Sequence, residues 1–421
     1  MKYLGLILVL SQFVQAQQRD HWVATWTTAQ DLARSQPAAP RPPAPAPTEN
    51  AATPAPPRPV PPQGMRGFNN QTVRMIVRTS IGGTRVRIKL ASAFGTVPVT
   101  IGAAHIALRS KDSEIVQGSD RALTFNGKPD CTIGDGMVIV SDPVDLKVPA
   151  LGDLAVSLYL PGETGRPTTH GAALHTNYIS KEGDFTGQPA IADAATSESY
   201  FWLAGIDVLA PADAALIVAL GDSITDGIRS TNDSDHTWPE LLAVRLASRK
   251  DTANVAVGNM GISGNKVLRD GAGVSAVARF DRDVLSQSGV KWVMLLEGIN
   301  DIGTGRPTEP ITVDDLTGAY RQMIEQAHTH GIQVIGCTLT PFLGAPYKRE
   351  AGEPIRTAVN KWILTSGAFD AVVDFDAAVR DQNDPTKVRA EFDPGDHLHP
   401  NDKGYQALAD AVDLSIFTKR R

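Results

Sequence analysis

The hydrophobic period of this chain changes at about residue 213, and that change constrains the fold more than any other feature. Before it, residues 71–208 read as short strands. Thr84 to Leu90 alternates strictly, with Arg85, Arg87 and Lys89 on one face and Val86, Ile88 and Leu90 on the other. Leu154, Val156, Leu158 and Leu160 repeat that period. Alternation at period two, cut by Gly, Pro and Asp turns, predicts an antiparallel sandwich. Thr72 to Ser80 reads as a further strand, and Gly82-Gly83 predicts a hairpin joining it to Thr84–Leu90. The basic stripe on 85–89 is expected to be the solvated face of a half-buried sheet, with contact to an acidic ligand as the alternative.

After residue 213, continuous apolar runs alternate with helical spacing. Ala214 to Leu220, Val293 to Leu296, Ile332 to Leu339 and Ala371 to Phe375 read as buried strands. Trp238–Ala247, Asp314–His330, Pro354–Leu364 and Lys403–Leu414 read as helices, with Thr237 as a cap, Pro239 in a first turn and Gly331 as a stop. This order predicts a parallel sheet covered on both faces, with ligands at the carboxyl ends of its strands. At 421 residues the chain is longer than one core needs. The expected division is a signal peptide at 1–16, a short strand plus Pro/Ala-rich linker at 17–66, a β-sandwich-like domain at 67–212 and an α/β domain at 213–421.

The signal peptide rests on Lys2, the short apolar run Tyr3 to Leu10 and the small-residue site Val14-Gln15-Ala16. It predicts export to the periplasm or medium, with a retained N-terminal anchor as the alternative. No stretch reaches the ~20 apolar residues of a membrane span. Residues 37–62 hold twelve of the 29 prolines and are expected to be an extended spacer. The net charge of −6 supplies no basic footprint for nucleic acid. Cys131 and Cys337 are expected to be separate thiols. The spacing leaves the oligomeric state open.

Four segments carry chemistry, each also readable as ordinary turn or loop. Gly221-Asp222-Ser223 ends an apolar strand and presents either a nucleophile or a helix-capping serine. Asn259 to Asn265 contains two glycines, which let backbone N–H groups approach a substrate oxygen. Gly298-Ile299-Asn300-Asp301 follows a strand and can aim an amide at an oxyanion. In Asp396-His397-Leu398-His399 the i, i+3 spacing lets Asp396 reach Nδ1 of His399 while Nε2 faces a serine. His397 is excluded from that pairing because it adjoins Asp396. A metal needs more ligands, and His21, His105, His170, His175 and His236 show no useful spacing.

In order and spacing the four segments resemble the blocks of the SGNH (GDSL) hydrolase superfamily. Ile224 stands where the family name has leucine, and the second-block glycine falls on Gly264. The resemblance spans about residues 213–421. It implies a flavodoxin-like three-layer α/β/α fold with no metal or organic cofactor. It also implies Ser223, Asp396 and His399 as a triad, with Ser223, Gly264 and Asn300 as the oxyanion hole. The first half, from Trp22–Ala29 through Phe94-Gly95, resembles exported two-domain members, many of them carbohydrate esterases or lipase-like proteins. The expected function is a serine esterase, removing O-acetyl groups from a polysaccharide. Lipase, lysophospholipase or arylesterase activity is the alternative among enzymes, and a non-catalytic glycan-binding protein the alternative outside them.

Overall fold

The computed structural model describes residues 21–32, 67–305, 310–347 and 350–418. The expected signal peptide and the proline-rich segment 37–62 lie outside the described residues. Two architectures meet near residue 213, and the overall class is mixed α/β.

The amino-terminal half is built on two antiparallel sheets. One runs Ala195–Ser197, Asn177–Glu182, Gln71–Arg78, Asp153–Leu160, Ala103–Leu108, Arg121–Ala122. The other runs Trp22–Thr27, Leu203–Leu209, Gly83–Ala91, Val138–Val140, with Val144–Val148 also paired to Gly83–Ala91. Val86, Ile88 and Leu90 are buried as their alternation predicts. The hairpin at Gly82-Gly83 is not formed. Gln71–Arg78 and Gly83–Ala91 lie in different sheets, and the chain between them is an arch. Gln71–Arg78 is buried on both faces up to Arg78, which suits a central strand rather than half of a two-stranded ribbon. The arch is held by other partners: Thr79 N–H donates to Gly152 O (2.9 Å) and Ser80 N–H to Thr25 O (2.9 Å).

The basic stripe is also corrected. Arg87 lies directly opposite Asp207 in the antiparallel ladder. Its Nε and Nη2 donate to Asp207 Oδ2 at 3.0 and 2.9 Å. Lys89 Nζ is 3.1 Å from Asp207 Oδ1 and donates to Ser288 Oγ at 3.0 Å. Asp207 is fully buried, so the stripe neutralises a cross-strand acid where the halves meet. Only Arg85 keeps an exposed partner, Asp145 at 3.1 Å.

The carboxyl-terminal half is a five-stranded parallel sheet. Its order is Val255–Gly261, Ala215–Gly221, Val290–Leu296, Gln333–Cys337, Ala371–Val373. Numbered along the chain that is 2-1-3-4-5, the flavodoxin-like order. Trp238–Ala247 packs with Asp402–Asp410, and Val313–Thr329 with Glu353–Thr365, as two helix layers. Thr237 and Glu240 form a reciprocal capping box at the start of Trp238–Ala247. Thr312 and Asp315 do the same for Val313–Thr329. Among the described residues no helix is long and apolar enough to cross a membrane. Cys337 is buried and Cys131 half-buried, both as free thiols.

The halves share a polar seam. Val255–Gly261 is an edge strand, and side chains of the other half satisfy its groups. Val257 N–H donates to Ser80 Oγ (3.1 Å), and Thr27 Oγ1 donates to Asn259 O (3.3 Å). Ala24 N–H donates to Ser288 O (3.0 Å).

Candidate functional site

The central strand Ala215–Gly221 is in register with both neighbours, Gly221 opposite Gly261 on one side and Leu296 on the other. The segments that follow these three strands therefore emerge together at one edge of the sheet. Gly221 is required there, since a Cβ would sit 2.5 Å from Leu296 O and 2.1 Å from Thr225 Oγ1. Asp222 caps the short helix Ser223–Asp226, accepting from Ile224 N–H at 2.9 Å. Ser223 opens that helix and is only 5% exposed.

His399 comes from the loop before Asp402–Asp410. Its Nε2 lies 2.8 Å from Ser223 Oγ, and its Nδ1 lies 2.9 Å from Asp396 Oδ2. The other Asp396 oxygen accepts from the backbone N–H groups of Leu398 (3.1 Å) and His399 (2.9 Å). Arg229 Nε adds a bond to Oδ2 at 2.9 Å. Burial opposes ionisation of Asp396, but the His399 ring and backbone donors and Arg229 outweigh it and hold the carboxyl well below the usual range. An ionised Asp396 fixes the tautomer with the proton on Nδ1, which leaves Nε2 free to accept from Ser223. His397 takes no part. Its Nδ1 is 2.5 Å from Asp393 Oδ2, and its side chain is half exposed.

Three donors near this line have no acceptor among the described residues. Asn300 is 2% exposed and its Nδ2 is unpaired, while its Oδ1 accepts from the Tyr347 hydroxyl. The Tyr347 bond sets which end of the amide is the free donor. Neither the Ser223 nor the Gly264 backbone N–H has an acceptor among the described residues. Gly264 has φ +80, a conformation that favours glycine. A buried donor left open, as Asn300 Nδ2 is, costs free energy and is expected where a ligand completes it. Asp301 is occupied elsewhere. Its carboxylate accepts from Val267 N–H (2.8 Å) and Leu268 N–H (3.1 Å) and so pins the glycine loop.

Two side chains below the site were not legible as functional. Arg279 is buried and ties both strand ends together, donating to Gly221 O (2.9 Å), Met260 O (2.7 Å) and Asn265 Oδ1 (2.9 Å). Its guanidinium also lies 3.6 Å from the buried Glu297. Burial and the neighbouring Asp222 charge push Glu297 well up from its usual range. The i,i+4 pair with Asp283 (3.0 Å) is readable along the helix, but Gly221 and Glu297, the partners that tie Arg279 to the strand ends, are distant in sequence. The second is His170, from the amino-terminal half, which reaches Asp226 of the Ser223 helix at 3.1 Å.

Other polar groups converge elsewhere. His175 Nε2 lies 3.4 Å from Asp235 Oδ1 and 3.8 Å from Glu240 Oε1, a metal-compatible grouping that spacing along the chain does not reveal. Arg78 (2.9 Å) and Thr237 (2.8 Å) already engage those two carboxylates. A cleft of about 800 Å³ opens at the amino-terminal ends of the parallel strands, lined by residues including Lys250, Lys291, Trp292 and His328. It shares no residue with the Ser223 line.

No curated protein matches the chain. Solved structures resemble about half of the chain. A putative lipolytic protein of the G-D-S-L family from Desulfitobacterium hafniense is 20% identical, over 47% of this chain and 97% of its own, with a TM-score of 0.37. An acetylxylan esterase, Axe2, from Geobacillus stearothermophilus is 22% identical over 47% and 91%, at 0.36. A carbohydrate acetylesterase, Est24, from Sinorhizobium meliloti is 15% identical over 47% and 95%, at 0.37. Scores at this level add no argument about function. Residues 219–407, by contrast, match the model of the GDSL-like lipase/acylhydrolase family. Residues 219–407 form a GDSL-like lipase/acylhydrolase domain, which supports membership of the SGNH hydrolase superfamily.

Proposed function

We propose that this acylhydrolase domain is a serine esterase whose nucleophile is Ser223. The observation that carries the reading is the continuous line Asp396–His399–Ser223, with bonds of 2.9 and 2.8 Å. Ser223 Oγ attacks the carbonyl carbon of an ester while His399 Nε2 takes the hydroxyl proton. Asp396 orients the ring and stabilises the cation that forms. The negative charge on the carbonyl oxygen is met by the Ser223 and Gly264 N–H groups and the Asn300 amide. The tetrahedral intermediate collapses, the C–O bond to the alcohol breaks, and the alcohol leaves with the proton from His399. Water, deprotonated by the same imidazole, attacks the acyl-serine. The carboxylic acid departs and Ser223 regains its proton.

The substrate within this proposal is an acetyl ester on a polysaccharide. Supporting a small acyl group, Ser223 and Asn300 are both almost wholly buried, and the Tyr347 hydroxyl donates to Asn300 Oδ1. Export through residues 1–16, and a division of labour between 67–212 and 213–421, belong to the same proposal. A panel running from p-nitrophenyl acetate to palmitate, with acetylated xylan, acetylated pectin and a lysophospholipid, tests it. Highest kcat/KM on acetyl esters is expected. A maximum on long acyl chains or on the lysophospholipid would replace it with a lipase or lysophospholipase, and no turnover of any ester with a glycan bound would replace it with a binding protein.

A further inference from the structure

His170 belongs to the amino-terminal half, yet it is joined to the helix that carries Ser223. The ring is 5% exposed. Its Nδ1 lies 2.8 Å from Ala29 O, and its Nε2 lies 3.1 Å from Asp226 Oδ1 and 3.2 Å from Ala172 O. All three partners are acceptors. A neutral imidazole has one N–H, so satisfying both nitrogens requires the doubly protonated cation. Asp226 lies three residues after Ser223 in the same short helix. Its second oxygen, Oδ2, accepts from Ser263 N–H (2.9 Å) and Ser263 Oγ (2.6 Å), and Ser263 immediately precedes Gly264. One carboxylate thus ties the turn presenting Ser223 to the loop presenting Gly264, and its countercharge comes from the other half of the molecule.

We propose that His170 is a positioning residue for ester hydrolysis, holding Asp226 so that Ser223 and the Gly264 loop keep their relative placement. This rests on the reading of Ser223 as nucleophile. It gives the amino-terminal half a part in catalysis that requires no contact with substrate. The charged groups around the ring are Asp226 from the Ser223 helix and Asp31 from the segment after Trp22–Thr27, whose Oδ2 accepts from Gly171 N–H at 2.7 Å. Tyr200 stacks on the ring at 6.2 Å between centroids. Glu240 shares with His170 a seam cavity of about 40 Å³, and Thr237 and His175 engage it. Burial pulls the imidazole down, but the Asp226 and Asp31 charges raise it to about 9. Its pKa is therefore above the free value, so the clamp is intact at neutral pH and is released as pH rises through that value.

The test uses the full chain and p-nitrophenyl acetate, with kcat and KM measured from pH 6 to 10.5 for wild type, His170→Gln, Asp226→Asn and the double variant. Wild type is expected to lose kcat on the alkaline side with an apparent pKa near 9. His170→Gln should lower kcat by about 10–10²-fold at pH 7.5, the scale of a small misplacement of reacting groups, with KM little changed. Its alkaline limb should be gone. The double variant should be no worse than the poorer single variant, because the two residues act as one unit. Wild-type kcat and an unchanged alkaline limb in a folded His170→Gln protein would overturn the proposal. If His170→Gln does not fold, the wild-type limb and its loss in Asp226→Asn decide: a limb that persists in Asp226→Asn overturns it. Ser223→Ala separates the two claims. An inactive Ser223→Ala beside an unaffected His170→Gln removes only the role of His170, whereas an active Ser223→Ala removes the esterase reading itself.

Discussion

Two polar clusters in this molecule are each organised around an aspartate, and they end differently. At the seam, buried Asp207 is met by Arg87, Lys89 and Ser288, so that both its oxygens carry a cation or hydroxyl. At the strand ends, Asp396 is equally well met, by His399, Arg229 and two backbone N–H groups. Yet its line continues to a serine hydroxyl, beside an Asn300 Nδ2 that has no acceptor among the described residues. The seam cluster is closed and the Ser223 cluster is open. A closed network gives stability and register, whereas an open one keeps binding free energy for something that arrives later. Charge and burial alone do not tell the two apart; the unpaired Asn300 Nδ2 does.

The largest effects are expected in the open cluster. His399→Ala should lower kcat by about 10⁴–10⁶-fold on p-nitrophenyl acetate with thermal stability nearly unchanged, the scale seen when a triad base is removed. Under the proposed mechanism, Asn300→Ala removes a donor to charge that exists only in the transition state. A fall of about 10²–10³ in kcat is expected, with KM little altered. A KM effect alone would make Asn300 a substrate-binding group.

The closed cluster should respond the other way. Arg87→Glu sets a second negative charge against buried Asp207, and breaking a buried pair costs about 3–5 kcal/mol. Denaturant unfolding should show that loss, while turnover per folded molecule stays near wild type. Arg85→Glu, two residues away beside exposed Asp145, should cost under about 0.5 kcal/mol. Equal effects at 85 and 87 would mean that the stripe is a solvated face after all.

A smaller effect links the open cluster to pH. The folded-state carboxyl of Asp396 sits below its unfolded value of about 3.9. Its contribution to stability is thus fully present above that value and is lost as pH falls through the lower, folded value. Between pH 5 and 2 the wild type should lose more unfolding free energy than Asp396→Asn. Parallel curves would show that the carboxylate is not selectively stabilised in the fold.

The clusters also differ in how much of each could be read along the chain. Ser223 and Asn300 each follow a strand and His399 precedes a helix, and the apolar runs ending at Leu220 and Leu296 and the helical spacing from Lys403 mark those boundaries along the chain. In a parallel sheet the carboxyl ends of neighbouring strands lie together, so local boundaries nearly determine the site. The antiparallel half lacks that rule. Gly83–Ala91 pairs with Leu203–Leu209, more than a hundred residues on, and no local pattern names that partner. The adjacent glycines at 82–83 suggested a hairpin where the chain changes sheets, and Arg87 was read as solvated because Asp207 was invisible from its own strand. His170 and Arg279 were missed for the same reason, since each acts through groups far away in sequence.

If hydrolysis passes through a covalent bond to Ser223, a p-nitrophenyl phosphonate ester should trap it, because that reaction stops at the phosphonylated serine. The protein should release one p-nitrophenolate per molecule and lose esterase activity in the same proportion, with the adduct on the peptide containing Ser223 and none formed by Ser223→Ala. Full esterase turnover in a protein whose Ser223 stays unmodified, or an adduct on another residue that tracks the loss of activity, would contradict the account.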